Sequence, residues 1–340
     1  MPNPPSAEAS LPAVEEDDDV RVRDLAAAIS GLQRPRIFRQ AVADWPVVAT
    51  ARQSSDALID HLKARDNGQP CETFRQPAGD GKFFYGDGGD GLNFRRARVP
   101  LGLTLERLRA LGAQGSPEHI YIQSAPLADH MPRLMAENSL PGIAAAPRIW
   151  IGNRAITQIH FDLYENLVCM VGGRKRFVLF PPDQVKNLYM GPLETTVSGV
   201  PTSMVDFERP DFAAHPRFRD ALKTAAVADL EPGDVLYIPY MWWHHVVSDG
   251  AFNVQINYWW NPAEAMGQPI HALFHALLSL RDLPPGQNAA WKAMFDHLVF
   301  HQSGPVADHL PAGQRGIMGE LDEAARQAIR KQLGRNLTED

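Results

Sequence analysis

Two apolar runs, each broken by a glycine pair or an Asp-Gly, limit what this chain can become. They are TQIHFDLYENLVCMVGGRKRFVLFPP at 157–182 and GDVLYIPYMWWHHVVSDGAFNVQINYWW at 233–260, and both have strand character. Gly172-Gly173 and Asp249-Gly250 are favoured two-residue turns, so each run is expected to fold back as a β-hairpin. In the first, Asn166 then faces Leu179 and Met170 faces Lys175, which puts Lys175 on the face of Asn166. Counting back in twos from Asn166 reaches Asp162 and His160, whereas Thr157 falls outside this parity. In the second, one face reads Trp242, His244, Asn253, Gln255, Asn257, Trp259. The other reads Trp243, His245, Val247, Phe252, Val254, Ile256, Tyr258 and is more apolar. Polar groups inside and apolar groups against an outer layer fit a ligand-holding β-barrel.

His160 and Asp162 therefore point a neutral imidazole and a carboxylate at one place. A second histidine from the other run completes a 2-His-1-carboxylate set with open positions, the arrangement of non-haem Fe(II) oxygenases. His244 is the third ligand on this register, and a bulge would exchange it with His245. Taken alone, an H-x-D pair is commonly just solvated or hydrogen-bonded, and Lys175, between Arg174 and Arg176, could be one of three solvated charges.

The chain has 340 residues, 44% hydrophobic and 21% charged, with a formal net charge of −7, enough for one large domain with extensions. Its acidic balance argues against wrapping nucleic acid by bulk charge, leaving Arg95, Arg96 and Arg98 as a local docking patch. Two cysteines, Cys71 and Cys169, are too few for a disulfide framework, which favours the cytoplasm. No apolar run reaches the roughly 18 residues of a membrane span.

Residues 1–19, with their EEDDD run, read as a disordered acidic tail. Residues 20–118 read as an α/β cap with a helix in SSDALIDHLKAR. The core spans 119–262, where HIYIQSA carries Tyr121 and Gln123 on one strand face. Residues 263–340 turn helical and carry more apolar surface than a lone appendage leaves in water, so homodimerisation through them is expected.

The segments KFFYGD, HIYIQ, TQIHFDLYEN to RKRFVLFPPDQ, VDFERPDF, GDVLYIPYMWWHH and INYWW resemble the JmjC branch of the cupin superfamily. They are most similar to its asparaginyl hydroxylases of hypoxia-inducible factor. The resemblance covers most of residues 30–300. It implies a mainly β protein with flanking helices, built on a double-stranded β-helix (jelly-roll) core and binding Fe(II) and 2-oxoglutarate. It implies metal ligation by His160, Asp162 and His244. Lys175, Thr157 and Tyr121 would hold the distal carboxylate of 2-oxoglutarate, with Asn166 and Asn257 near its chelating end and Trp259 as an aromatic wall. Tyr85, Gln123 and Thr202 fall on the substrate side. Where the asparaginyl hydroxylases carry an arginine and a glutamine that hold the target amide, this chain has Pro201 and Thr202. The expected activity is hydroxylation of a protein, peptide or other large substrate. The alternatives are demethylation by the same oxidation, a cupin isomerase or zinc hydrolase that gives Lys175 no role, and a silent metal-binding module.

Overall fold

The computed structural model describes residues 11–336 apart from 78, 87–90, 115–117, 194, 195, 198 and 262–268. Twelve strands share one hydrogen-bonded network. They are β1 (Glu16–Asp17), β2 (Arg36–Phe38), β3 (Pro70–Gln76), β4 (Lys82–Phe83), β5 (Arg95–Pro100) and β6 (His119–Pro126). They continue with β7 (Pro147–Gly152), β8 (Ala155–Phe161), β9 (Glu165–Phe180), β10 (Ala226–Leu230), β11 (Val235–Ile238) and β12 (Trp243–Trp260).

Two of these strands are long enough to serve two layers. In one layer β7, the end of β12, the start of β9 and β11 lie side by side. In the other, β8, the start of β12, the end of β9 and β10 do the same. This is a double-stranded β-helix. β6, β3 and β5 extend the first layer outward from β7 to a free edge.

Neither glycine-punctuated run is a hairpin. β9 passes through Gly172-Gly173 and β12 through Asp249-Gly250, and the two strands pair with each other along their length. The expected turns mark two consecutive register shifts instead: between the pairs Arg174–Asp249 and Met170–Gln255, β9 contributes three residues and β12 five. Such an irregularity reverses side-chain parity just as a two-residue turn does. Val168 and Met170 consequently share an inner cluster with Phe177 and Leu179, and Lys175 still shares a face with Asn166. Local turn preference loses here because a continuous strand finds a partner on each side.

The outer surface of the first layer is covered by helices. The expected helix forms as Ser55–Lys63, capped by Ser54, whose Oγ accepts from the Ala57 amide at 3.0 Å. It buries Leu58, Ile59 and Leu62 in a cluster with Leu167, Cys169, Val171 and Ile256. Phe207 and Phe218 cover the other layer through Phe161, Phe180 and Trp243. Cys71 and Cys169 are unpaired and buried.

Residues 11–19 correct the expectation of a disordered tail over 1–19, of which residues 1–10 lie outside the described residues. Val14 is only 5% exposed, β1 pairs with β2, and Glu15 and Glu16 meet Arg36 and Arg39. The acidic run finds cations on the neighbouring strand and settles against the fold.

Residues 263–340 form a second compact unit, with helices Pro269–Leu280, Pro285–Leu298 and Glu323–Asn336. No residue of the first two helices is buried, and Leu278 is 77% exposed. Among the described residues no helix is long and apolar enough to cross a membrane.

Candidate metal centre

His160 lies near the end of β8 and is paired directly with His244 at the start of β12. Their ring centroids stand 4.2 Å apart, and Asp162, just past β8, brings Oδ2 to 3.6 Å from His244 Nε2. The ligating atoms of the three residues all fall within 4.8 Å of one another. Backbone carbonyls fix the tautomers: His160 Nδ1 donates to Gln158 O at 2.8 Å, and His244 Nδ1 donates to Trp242 O at 3.0 Å. Each ring is left with an Nε2 lone pair for a metal. Burial holds His244 well below the usual imidazole range, so it is neutral at pH 7. Burial also raises the Asp162 carboxyl, against the pull of His160. A buried carboxylate beside two imidazoles that each present Nε2 is a donor set that fits a divalent transition ion, and one side of it opens onto a cavity.

The choice between the two adjacent histidines turns on where a bulge falls. Between the pairs His244–His160 and Val246–Thr157, β8 contributes Gln158 and Ile159 against His245 alone. The extra residue is in β8, so His244 keeps the metal face and Thr157 is shifted onto it. Period alone could not place Thr157, and the bulge does. His245 points the other way, fully buried with its ring 4.6 Å from Phe207. Burial pushes its pKa down to about 3, and it remains neutral.

The adjoining cavity has a volume of about 570 Å³. Lys175 lines it at 3% exposure, and no described residue pairs with its ammonium, which sits 5.7 Å from the Tyr121 ring centroid. Burial alone pushes the Lys175 pKa down to about 7. Tyr121 and Thr157 line the cavity together, and desolvation raises the Tyr121 phenol. On the metal side, Gln255 Nε2 donates to Asn257 Oδ1 at 2.8 Å, and Asn257 Nδ2 donates to Asn166 Oδ1 at 2.9 Å. Trp259 stacks on Tyr164 and meets Trp150 edge-on.

Of the site residues expected from the sequence, His160, Asp162, His244, Tyr121, Thr157, Asn166, Lys175, Asn257, Trp259 and Gln123 line this one cavity. Tyr85 packs instead in an aromatic cluster beside Tyr121. Thr202 is buried, bridged by backbone to His160, with Oγ1 donating to Val200 O at 3.4 Å. Neither is among the lining residues. Sequence reasoning leaves Gln255 and Arg148 without a role, although both line the cavity. Parity places Gln255 on the polar face, whereas nothing in the sequence marks Arg148.

A family model described as a cupin-like domain matches residues 23–266. The human bifunctional peptidase and (3S)-lysyl hydroxylase JMJD7 is 27% identical over 67% of this chain and 77% of its own length. The tRNA wybutosine-synthesizing protein 5 of Gallus gallus is 36% identical over 37% of this chain and 41% of its own. Lysine-specific demethylase JMJ31 of Arabidopsis thaliana is 35% identical over 36% of this chain and 22% of its own. The last two matches thus span less than half of those relatives. The relatives are named for different chemistries, and none of these three names is that of an asparaginyl hydroxylase.

Proposed function

The chain belongs to the cupin-like family, on its JmjC branch, and on that premise we propose that it is an Fe(II)- and 2-oxoglutarate-dependent dioxygenase. Its product would be a hydroxylated side chain on a protein, peptide or other large substrate, with succinate and CO2 released. The observation that carries this reading is the buried, unpaired Lys175 in the same cavity as the His160, Asp162 and His244 triad. An ammonium out of water without a counter-ion is costly, and a dicarboxylate bound at one end to a metal held by the triad would bring its other carboxylate to it.

Bound iron would supply oxygen activation, and the residues of the chain would bind, orient and exclude water. Lys175 would form a charge-assisted hydrogen bond with the distal carboxylate, with the Thr157 and Tyr121 hydroxyls completing its lone pairs. The Gln255, Asn257 and Asn166 amides would meet the chelating end. Because Pro201 and Thr202 stand where the asparaginyl hydroxylases carry the arginine and glutamine that hold the target amide, a target other than an asparagine amide is favoured. Two unpaired cysteines accord with a cytoplasmic protein.

The test is succinate release from 2-oxoglutarate in air with added Fe(II). Wild-type protein is expected to turn the co-substrate over slowly even without a target, and His160→Ala to lose both turnover and iron. An iron-loaded wild type that releases no succinate, with or without candidate targets, would sink the reading. Formaldehyde among the products would indicate demethylation.

A further inference from the structure

β5 is the last strand of its layer: among the described residues it pairs with β3 alone, and Arg95 to Arg98 are all exposed. Alternation sends Arg96 and Arg98 to the cavity side, where both are lining residues, and Arg95 to the opposite face. Neither Arg96 nor Arg98 has a carboxylate partner among the described residues. Arg96 donates to Val197 O and lies over the Phe74 ring, and Arg98 donates to Pro70 O at 2.8 Å.

A third guanidinium stands deeper. β6 carries an irregularity between Ile122 and Ala125, and inside it Ser124 adopts φ +56°. That strained backbone places Ser124 Oγ and O at 2.5 and 2.6 Å from Arg148, which donates to both. Arg148 is partly desolvated, which lowers its pKa, and it too lacks a carboxylate within ion-pair distance among the described residues. Arg148 is thus held by neutral hydrogen-bond acceptors, with the Asp129 carboxylate acting only from beyond ion-pair distance, in the cavity that Arg96, Arg98 and the triad also line.

We infer that the target is an extended acidic polypeptide segment that adds to the free edge of β5, its carboxylates meeting Arg96 and Arg98 and its leading residues passing Arg148 toward the metal. An edge strand offers unpaired amides and carbonyls to such a segment. Arg96 and Arg98 leave the strand about 7 Å apart, the repeat of alternate side chains in the added strand. Guanidinium groups suit carboxylates by their paired donors. Glu72, the cross-strand neighbour of Arg98, and Asp129 also line the cavity, so separate carboxylates spaced to meet the two arginines suit it better than the unbroken charge of a phosphate backbone. The inference rests on the oxygenase reading for what is done to the peptide, not for its docking.

The test is binding, measured by fluorescence anisotropy on the full-length protein without turnover. The probes are a labelled twelve-residue peptide of alternating Glu and Thr, its Gln-for-Glu counterpart and a twelve-nucleotide oligouridylate. The acidic peptide is expected to bind about tenfold more tightly than either other probe. R96Q/R98Q should remove that preference, R95Q should keep it, and thermal unfolding of both variants should match wild type. Amide exchange in residues 95–100 should slow when the acidic peptide binds. Equal binding of the two peptides, tighter binding of the RNA, an equal loss in R95Q, or unaltered exchange in β5 would each overturn the inference. Succinate release without any peptide judges the oxygenase reading separately.

Discussion

Burying the Lys175 ammonium with no counter-ion brings its pKa from 10.5 to about 7. The unfolded chain keeps that proton up to about pH 10.5 and the folded chain only to about pH 7, so the unfolded state binds more protons between those values. This group's contribution to stability therefore rises with pH across that window, and its destabilising effect is fully present below about pH 7. Lys175→Met should stabilise the metal-free protein at pH 6 by about 1–4 kcal/mol, as apolar replacements of buried charges often do. The same variant should no longer be stabilised by 2-oxoglutarate. Denaturant titrations at pH 6 with and without the co-substrate measure both effects. A variant less stable than wild type at pH 6 would refute the account. In wild type, 2-oxoglutarate affinity is expected to weaken as pH rises above about 7, because the neutral amine offers no charge to the distal carboxylate.

At the scale of elements, register shifts at two places assemble the site. The shift in β8 puts Thr157 on the face of His160, and the shift at Gly172-Gly173 puts Lys175 on the face of Asn166. Gly173 has φ +80°, and a Cβ there would fall 2.2 Å from Asn253 Oδ1 and 2.6 Å from Phe252 O. Gly173→Ala thus combines a left-handed backbone with overpacking, each worth about 1–3 kcal/mol. It should lower unfolding free energy by about 3 kcal/mol. Because it disturbs the strand that carries Lys175, it should also weaken 2-oxoglutarate binding more than metal binding. Calorimetric titration of each ligand separates the two, and an unaltered denaturation midpoint would show that the close approach is not real.

For the whole molecule, the second unit leaves apolar side chains such as Phe274, Leu278, Trp291 and Met294 exposed on its helices. We propose that these surfaces meet in a homodimer, as the helical extension led us to expect. Light scattering after gel filtration should give twice the 37.7 kDa of one chain. Leu278→Glu combined with Trp291→Glu should halve that mass while leaving Fe(II) bound at the triad. A wild type that elutes as a monomer at micromolar concentration would remove the proposal.

Strand alternation in the sequence was enough to bring His160 and Asp162 to one face, because a period of two residues is set by the pleat itself, whereas the choice of His244 over His245 rested on the register. It was also enough to put Asn166 beside Lys175, since a turn and a register shift reverse parity alike. Resemblance rather than spacing supplied Thr157, Tyr121 and the identity of the ligands. Only the tertiary structure decided that β9 and β12 pair with each other instead of folding back, that the bulge falls in β8, and that Arg148 is clamped by Ser124. Those choices depend on partners distant in the chain, whose pairing energy exceeds the local preference of any glycine pair for a turn.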